Sequence, residues 1–281
     1  MTLLLNKVLT RPGKKPIVYD VFFTPSRKPK PVVIFCHGYK GFKDWGAWNL
    51  AAKAFAEAGF FYLKFNFSHN GGTVENPIDF PNLEAFAQNN FSKELEDLEN
   101  IINHVATTEQ FQEEADGANI SLIGHSRGGG IVLIKAEENK RVKKVVTWAS
   151  VSDYKKRFQE DSENFRRWKE TGRIFVENGR TKQQMPHDWQ FYEDFTQNEE
   201  RLTIKRAISH LEKPCLLVHG SEDPTVSFVE AKKLKRWNQN AQLVLIENAN
   251  HVFGASHPWN EAKLPSHLQQ VIQTTTSFLT N

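Results

Sequence analysis

The stretch that most constrains the fold is Ile120-Ser121-Leu122-Ile123-Gly124-His125-Ser126-Arg127-Gly128-Gly129-Gly130, where an apolar run ends in Gly-x-Ser-x-Gly and passes straight into a helix-compatible segment. A strand buried on both faces, Ile120 to Ile123, must turn sharply into a helix from Arg127 to Glu138. The serine at the apex is thereby forced into a strained backbone conformation. Gly124 and Gly128 are required because a side chain at either position would collide with the neighbouring strand or helix. This elbow projects Ser126 Oγ above the sheet edge, sets the Arg127 backbone N–H beside it as an oxyanion donor, and aims a helix N-terminus at developing negative charge. The competing reading is an idle serine in an ordinary strand–turn–helix, and the rest of the chain decides between them.

The apolar, β-branched run Val32-Val33-Ile34-Phe35-Cys36 has the pattern of a strand buried in a parallel sheet, and it ends in His37-Gly38-Tyr39-Lys40-Gly41. An acyl-transfer site needs two N–H donors converging on one oxygen, and the second commonly follows a His-Gly pair after an early strand. Here it is the Tyr39 backbone N–H. A plain βα turn is the alternative at this point. Before this run, Leu3–Leu9 and Ile17–Phe23 read as an antiparallel pair at a sheet edge. After it, Trp45–Ala58 reads as a helix, Phe60–Phe65 as a buried strand, and Ser92–Val105 as a helix capped by Ser92 with acids at Glu94 and Glu96. His69, in the irregular stretch 66–91, reads as a surface-loop histidine.

Downstream, Val142–Trp148, Pro214–Gly220 and Gln242–Ile246 are further strands, with helices at Ser227–Trp237 and Leu264–Leu279. The loop leaving the second of these strands carries Asp223, and the loop after the last carries His251. Asp153, shortly after Val142–Trp148, is an alternative acid. Between Ser152 and His210 the strand–helix rhythm disappears into charged and aromatic sequence. That implies a core of 1–151 and 211–281 with an inserted helical cap at 152–210. Most cap aromatics are expected to pack the cap, and a minority to face a pocket.

The order Ser126, Asp223, His251, each after a buried strand, differs from that of the other well-known serine hydrolase folds. Together with His37-Gly38-Tyr39-Lys40-Gly41, Asp44-Trp45, His219-Gly220-x-x-Asp223-Pro224-x-Val226 and Asn250-His251, it resembles the α/β-hydrolase superfamily. Within it the chain resembles the branch of dienelactone-hydrolase-like proteins, cinnamoyl and feruloyl esterases and acylaminoacyl-peptidase-related proteins. The resemblance implies a mostly parallel sheet flanked by helices. It also implies that Ser126 attacks an acyl carbonyl, His251 moves the proton, Asp223 orients His251, and the Tyr39 and Arg127 N–H groups bind the oxyanion. Dienelactone hydrolases use a cysteine nucleophile, so the serine argues against that activity.

Composition narrows the remaining possibilities. Lys+Arg 36 against Asp+Glu 33 is too balanced to suggest a nucleic-acid or membrane-surface partner. Cys36 and Cys215 sit in apolar runs and point to a reducing compartment; with no signal peptide or spanning segment evident, the expectation is a soluble, cytoplasmic protein. No metal-ligand spacing, phosphate loop or dinucleotide fingerprint calls for a cofactor. Expected partners are a small acyl ester or a short peptide, with Lys40, Lys43 and Arg127 at the entrance favouring an anionic one. Carboxylesterase, possible on aryl or hydroxycinnamoyl esters, ranks first and acylaminoacyl- or dipeptidyl-peptidase-like amide hydrolysis second. A catalytically silent binding module and acyl transfer to another acceptor stand as the other classes.

Overall fold

The computed structural model describes residues 1–281. The strands are β1 (Thr2–Arg11), β2 (Lys14–Phe23), β3 (Lys30–Cys36), β4 (Phe61–Phe65), β5 (Ala115–His125), β6 (Val142–Trp148), β7 (Arg173–Glu177), β8 (Gln184–Asp188), β9 (Cys215–Gly220) and β10 (Gln242–Ile246). Eight of them form one sheet in the order β1-β2-β4-β3-β5-β6-β9-β10. β1 pairs antiparallel with β2 and β2 with β4, while β4, β3, β5, β6, β9 and β10 pair in parallel. This is the mostly parallel, helix-flanked sheet of the α/β-hydrolase fold.

Period-2 side-chain alternation divides the interior. Val32, Ile34 and Cys36 of β3 enter one core, while Val33 and Phe35 enter the other; in β9, Cys215 and Leu217 oppose Leu216 and Val218 in the same way. The first core lies under helices Phe91–Thr107 and Arg127–Glu138, the second under helices Trp48–Glu57 and Ser266–Thr280. The long helix after the 66–91 stretch begins one residue earlier than its sequence suggests. Asn90, extended at φ −158°, caps it by accepting from the Lys93 N–H at 2.9 Å, so Ser92 lies inside the first turn.

The expectation of a purely helical cap needs correction. Residues 152–210 contain helices Glu163–Thr171 and Gln190–Gln197, and also an antiparallel hairpin made by β7 and β8, with Phe175 opposite Pro186. Arg173-Ile174-Phe175-Val176-Glu177 does not alternate, and a proline within a strand ordinarily argues against one. In a two-stranded ribbon both strands are edges, so Pro186 loses no ladder bond it would have needed. The last helix of the segment, Ile204–His210, buries Ile204, Ala207 and Ile208 against helix Arg127–Glu138 and forms part of the crossover from β6 to β9. As expected of the aromatics, Phe158, Trp168 and Phe195 join the first core, with Trp168 and Trp189 edge to face at 5.2 Å.

Four charged side chains sit where the sheet meets the loop after β3. Lys43 Nζ contacts Asp20 Oδ2 at 2.8 Å and Asp44 Oδ2 at 2.5 Å; Lys64 Nζ contacts Asp20 Oδ2 at 2.6 Å and also Asp44. The Asp20, Lys43 and Lys64 side chains are at most 1% exposed. The quartet staples β2, β4 and the 37–48 loop together, and its charges are paired two against two. Removing one member leaves a buried charge uncompensated. Lys64→Met is therefore expected to cost roughly 3–5 kcal/mol of stability. Denaturant unfolding of the variant beside the wild type measures it, and a loss below about 1 kcal/mol would show that the quartet is not a structural staple.

Candidate active site

The elbow joins β5 to helix Arg127–Glu138. Ser126 stands at φ 55°, ψ −118°, and its N–H is held by Trp148 O of β6 at 2.9 Å. A Cβ on Gly124 would lie 2.3 Å from Gly128 O, and one on Gly128 would lie 2.5 Å from His37 O and 2.6 Å from Cys36 O. The two glycines are thus required for different reasons: the first admits the helix, the second admits the end of β3. Gly38 approaches Ser126 so closely that an added Cβ would sit 2.9 Å from Ser126 Cβ. The loop carrying Tyr39 and the apex of the elbow are consequently in contact. The Tyr39 N–H makes no hydrogen bond within the chain, and Arg127, as first residue of its helix, has an N–H without an intrahelical partner.

Asp223 and His251 meet. His251 Nδ1 and Asp223 Oδ2 are 2.7 Å apart, while Asp223 Oδ1 accepts from the Thr225 and Val226 N–H groups, each at 2.8 Å. Burial alone would raise the Asp223 carboxyl; hydrogen bonds from His219 and His251 and from the Val226 N–H hold it well below the ordinary carboxylate range. Asp153 instead accepts from the Lys156 N–H at 3.2 Å and has no histidine partner.

Two contacts near the site had no signal strong enough to read from sequence. His125, the variable residue inside Gly-His-Ser, is buried and bonds through Nε2 to His251 O at 2.9 Å, tying the elbow to the loop after β10. Glu94, read only as a first-turn acid, is an ion-pair partner of Arg127 and accepts from Asn89 Nδ2 at 2.8 Å. The Arg127 guanidinium is further enclosed by the rings of Tyr39 at 5.2 Å, Phe91 at 5.8 Å and Phe191 at 5.7 Å. Lys43 belongs to the buried quartet, and Lys40 Nζ donates to Glu177 O at 2.8 Å. Lys43 and Arg127 are thus held in ion pairs, while Lys40 is bonded to a neutral carbonyl.

His69 also differs from a plain surface residue: burial pushes its imidazole down to about 4, and Nδ1 lies 2.8 Å from Ser68 Oγ. Ser68 Oγ donates to Asp97 at 3.1 Å as well. Acid and base both contact the serine there, so the acid does not orient the base, and the cluster lacks the relay geometry formed by Asp223 and His251.

A sequence model of the prolyl oligopeptidase family matches residues 48–274. The chain belongs to the prolyl oligopeptidase family. An uncharacterized 31.7 kDa protein of the traX-finO intergenic region of Escherichia coli is 32% identical over 123 residues, which are 44% of this chain; the match spans 38% of the length of that curated relative. Among solved structures, Est1E from Butyrivibrio proteoclasticus superposes with a TM-score of 0.73 at 15% identity, covering 98% of this chain and 97% of Est1E. Alpha/beta hydrolase domain-containing protein 10 from mouse gives 0.68 at 17% identity, covering 100% and 99%. At these identities the structures establish the fold of this prolyl oligopeptidase family member.

Burial keeps two histidines of this site neutral. It pushes His37 down to about 4, with Arg127 adding to the effect, and His125 down to about 3, with His251 adding. Between pH 6.5 and about 4 the unfolded chain takes up protons that these folded imidazoles refuse, so stability falls as pH falls. His69 and His187, pushed down by burial to about 4 and about 3, act in the same direction; burial raises the Asp97 carboxyl to about 6, which works in the opposite direction but for one group against four. Stability is therefore expected to drop on the order of 3–4 kcal/mol per pH unit between pH 6 and 5. Denaturant titrations at pH 7, 6 and 5 measure this, and a flat or rising stability on acidification would contradict the neutral assignment.

Proposed function

We propose that this chain is a serine hydrolase that cleaves carboxylic esters through an acyl-enzyme. The observation that carries the reading is the 2.7 Å bond between His251 and Asp223, formed by residues 28 apart in sequence at the edge where the strained Ser126 elbow stands. In the proposed reaction Ser126 Oγ attacks the acyl carbonyl while His251 accepts its proton through Nε2, the nitrogen not bonded to Asp223. The carbonyl oxygen becomes an oxyanion held by the Tyr39 and Arg127 N–H groups. Loss of one such donor typically costs roughly 3–4 kcal/mol. His251 then protonates the leaving alkoxide, and water repeats the sequence on the acyl-enzyme. Asp223, kept ionised by its hydrogen bonds, fixes the His251 tautomer and stabilises the imidazolium.

Aryl or hydroxycinnamoyl esters are the substrate class we favour, because Tyr39 and Phe191 set aromatic rings around the side chain of Arg127, the residue that follows the proposed nucleophile. The likeness to Est1E, whose structure has also been solved with ferulic acid bound, is consistent with this. Membership of the prolyl oligopeptidase family favours a second reading, hydrolysis of an acylaminoacyl or short peptide amide at the same serine. We place the reaction in the cytoplasm, since Cys36 and Cys215 are both free and buried.

A fluorophosphonate should give a single adduct by intact mass that is absent in Ser126→Ala. No adduct on folded wild type would favour a silent binding module instead. Asp223→Asn should lower turnover of a p-nitrophenyl ester by roughly 10⁴-fold with the fold intact, and Asp153→Asn should leave it within a few-fold; the reverse pattern would reassign the acid. A panel of hydroxycinnamoyl, aliphatic and aminoacyl-amide substrates ranks esterase against peptidase.

A further inference from the structure

The five-residue loop His37-Gly38-Tyr39-Lys40-Gly41 is poorly suited to hold its own shape. It contains two glycines, and Lys40 lies at φ 53°, a left-handed conformation that a lysine keeps only under external restraint. Part of the restraint is the loop's own, since Gly38 O accepts from the Gly41 N–H at 3.1 Å and lies 2.9 Å from His37 Nδ1, and part comes from the 66–91 stretch, where Asn70 Nδ2 donates to Gly41 O at 3.2 Å.

The two long side chains at the centre of the loop both leave the core and reach the cap hairpin. The Tyr39 hydroxyl and His187 Nε2 are 2.7 Å apart, and Lys40 Nζ reaches Glu177 O. Tyr39 is 37% exposed overall, and this bond to His187 is the one its hydroxyl makes. On β8, Met185 and His187 are two residues apart and therefore share one face. Met185 is fully buried in a small cluster with Phe42, Phe80 and Phe86, while the His187 ring packs on Tyr39 and Phe86 at 5.6 and 5.3 Å. One face of β8 thus grips the loop at both Tyr39 and Phe42. The hairpin is itself braced, by Trp168 Nε1 donating to His187 O at 2.8 Å and by Arg173 bridging Asp188 and Glu84.

Taking Ser126 as the nucleophile and the Tyr39 N–H as an oxyanion donor, we propose that the cap hairpin clamps the oxyanion loop, with His187 as a positioning residue that sets the Tyr39 N–H through the Tyr39 hydroxyl. The plane of the Gly38–Tyr39 peptide decides where that N–H points. Gly38 O, bonded within the loop, fixes one side of the plane, and the Tyr39 side chain, bonded to the cap, restrains the other. Cap position and oxyanion binding are therefore coupled, and a substrate that displaces the hairpin weakens the donor it needs. On this reading the cap contributes to turnover of every substrate, including esters too small to touch it.

The test uses p-nitrophenyl acetate with the full-length wild type, Tyr39→Phe, His187→Ala, His187→Gln and the Tyr39→Phe/His187→Ala double variant. Tyr39→Phe and His187→Ala should each lower kcat about tenfold, with KM within about twofold. The double variant should lose no more than either single one, because both remove the same bond. His187→Gln, whose amide reaches the position of Nε2, should recover most of the loss. An unchanged kcat, an effect confined to KM, or losses that multiply in the double variant would overturn the clamp. If His187→Ala does not fold, Tyr39→Phe decides alone, since it removes a single oxygen from a partly exposed side chain. Fluorophosphonate labelling separates the two levels: a wild type that labels while Tyr39→Phe keeps full kcat refutes the clamp only, and a wild type that fails to label refutes the hydrolase reading and the clamp together.

Discussion

Backbone at φ 55°, ψ −118° is held by an L-residue only when everything around it excludes the alternatives, and at Ser126 three elements do so. β6 fixes the Ser126 N–H through Trp148 O, helix Arg127–Glu138 closes against Gly124, and the end of β3 closes against Gly128. The cost of the strained residue, of order 1–3 kcal/mol, is offset by a sheet buried on both faces. Because β3 presses on Gly128 and Gly38 of the following loop presses on Ser126, the apex and the start of that loop are registered to one another by close contact. Rigid elements therefore set the geometry most sensitive to error.

The periphery of the site is arranged differently. Burying Asp20, Lys43 and Lys64 in place of apolar residues does not maximise stability, since desolvating such charges consumes much of their mutual attraction. What the quartet supplies is a directional tie between β2, β4 and the loop that turns towards Ser126, where an apolar contact could slide. His125 plays a comparable part on the other side, joining the elbow to the His251 carbonyl. Both devices hold loops in place from beneath.

Above the sheet, the cap segment combines two kinds of contact. Its aromatic residues continue the main core through Phe158, Trp168 and Phe195, while its hairpin meets the 37–42 loop and the short helix Leu83–Ala87 through Met185, His187 and Arg173. The first kind anchors the segment. The second joins it to the loop after β3, and Phe191, which packs on Phe91 and lies 5.7 Å from the Arg127 guanidinium, belongs to both.

Local regularities in the chain were enough to determine the alternation of strand and helix, the elbow and the chain order of Ser126, Asp223 and His251. Each is written in a short window: a β-branched run, a glycine spacing, a polar residue just past an apolar strand. Even the reason for Gly124 and Gly128 was legible, because a tight turn forbids side chains wherever it occurs. Lys64 within Phe61-Tyr62-Leu63-Lys64-Phe65 and Asp20 within Ile17–Phe23 were signals of a buried charge, but nothing local says that each would find two partners. Tertiary structure alone decided the β7–β8 hairpin, whose Pro186 and non-alternating first strand conceal it, and the pairing of His125 with His251 O, Arg127 with Glu94 and Tyr39 with His187. Those pairs are separated by 126, 33 and 148 residues. Their meeting depends on how whole layers pack, and periodicity records which face of an element is buried without recording what it is buried against.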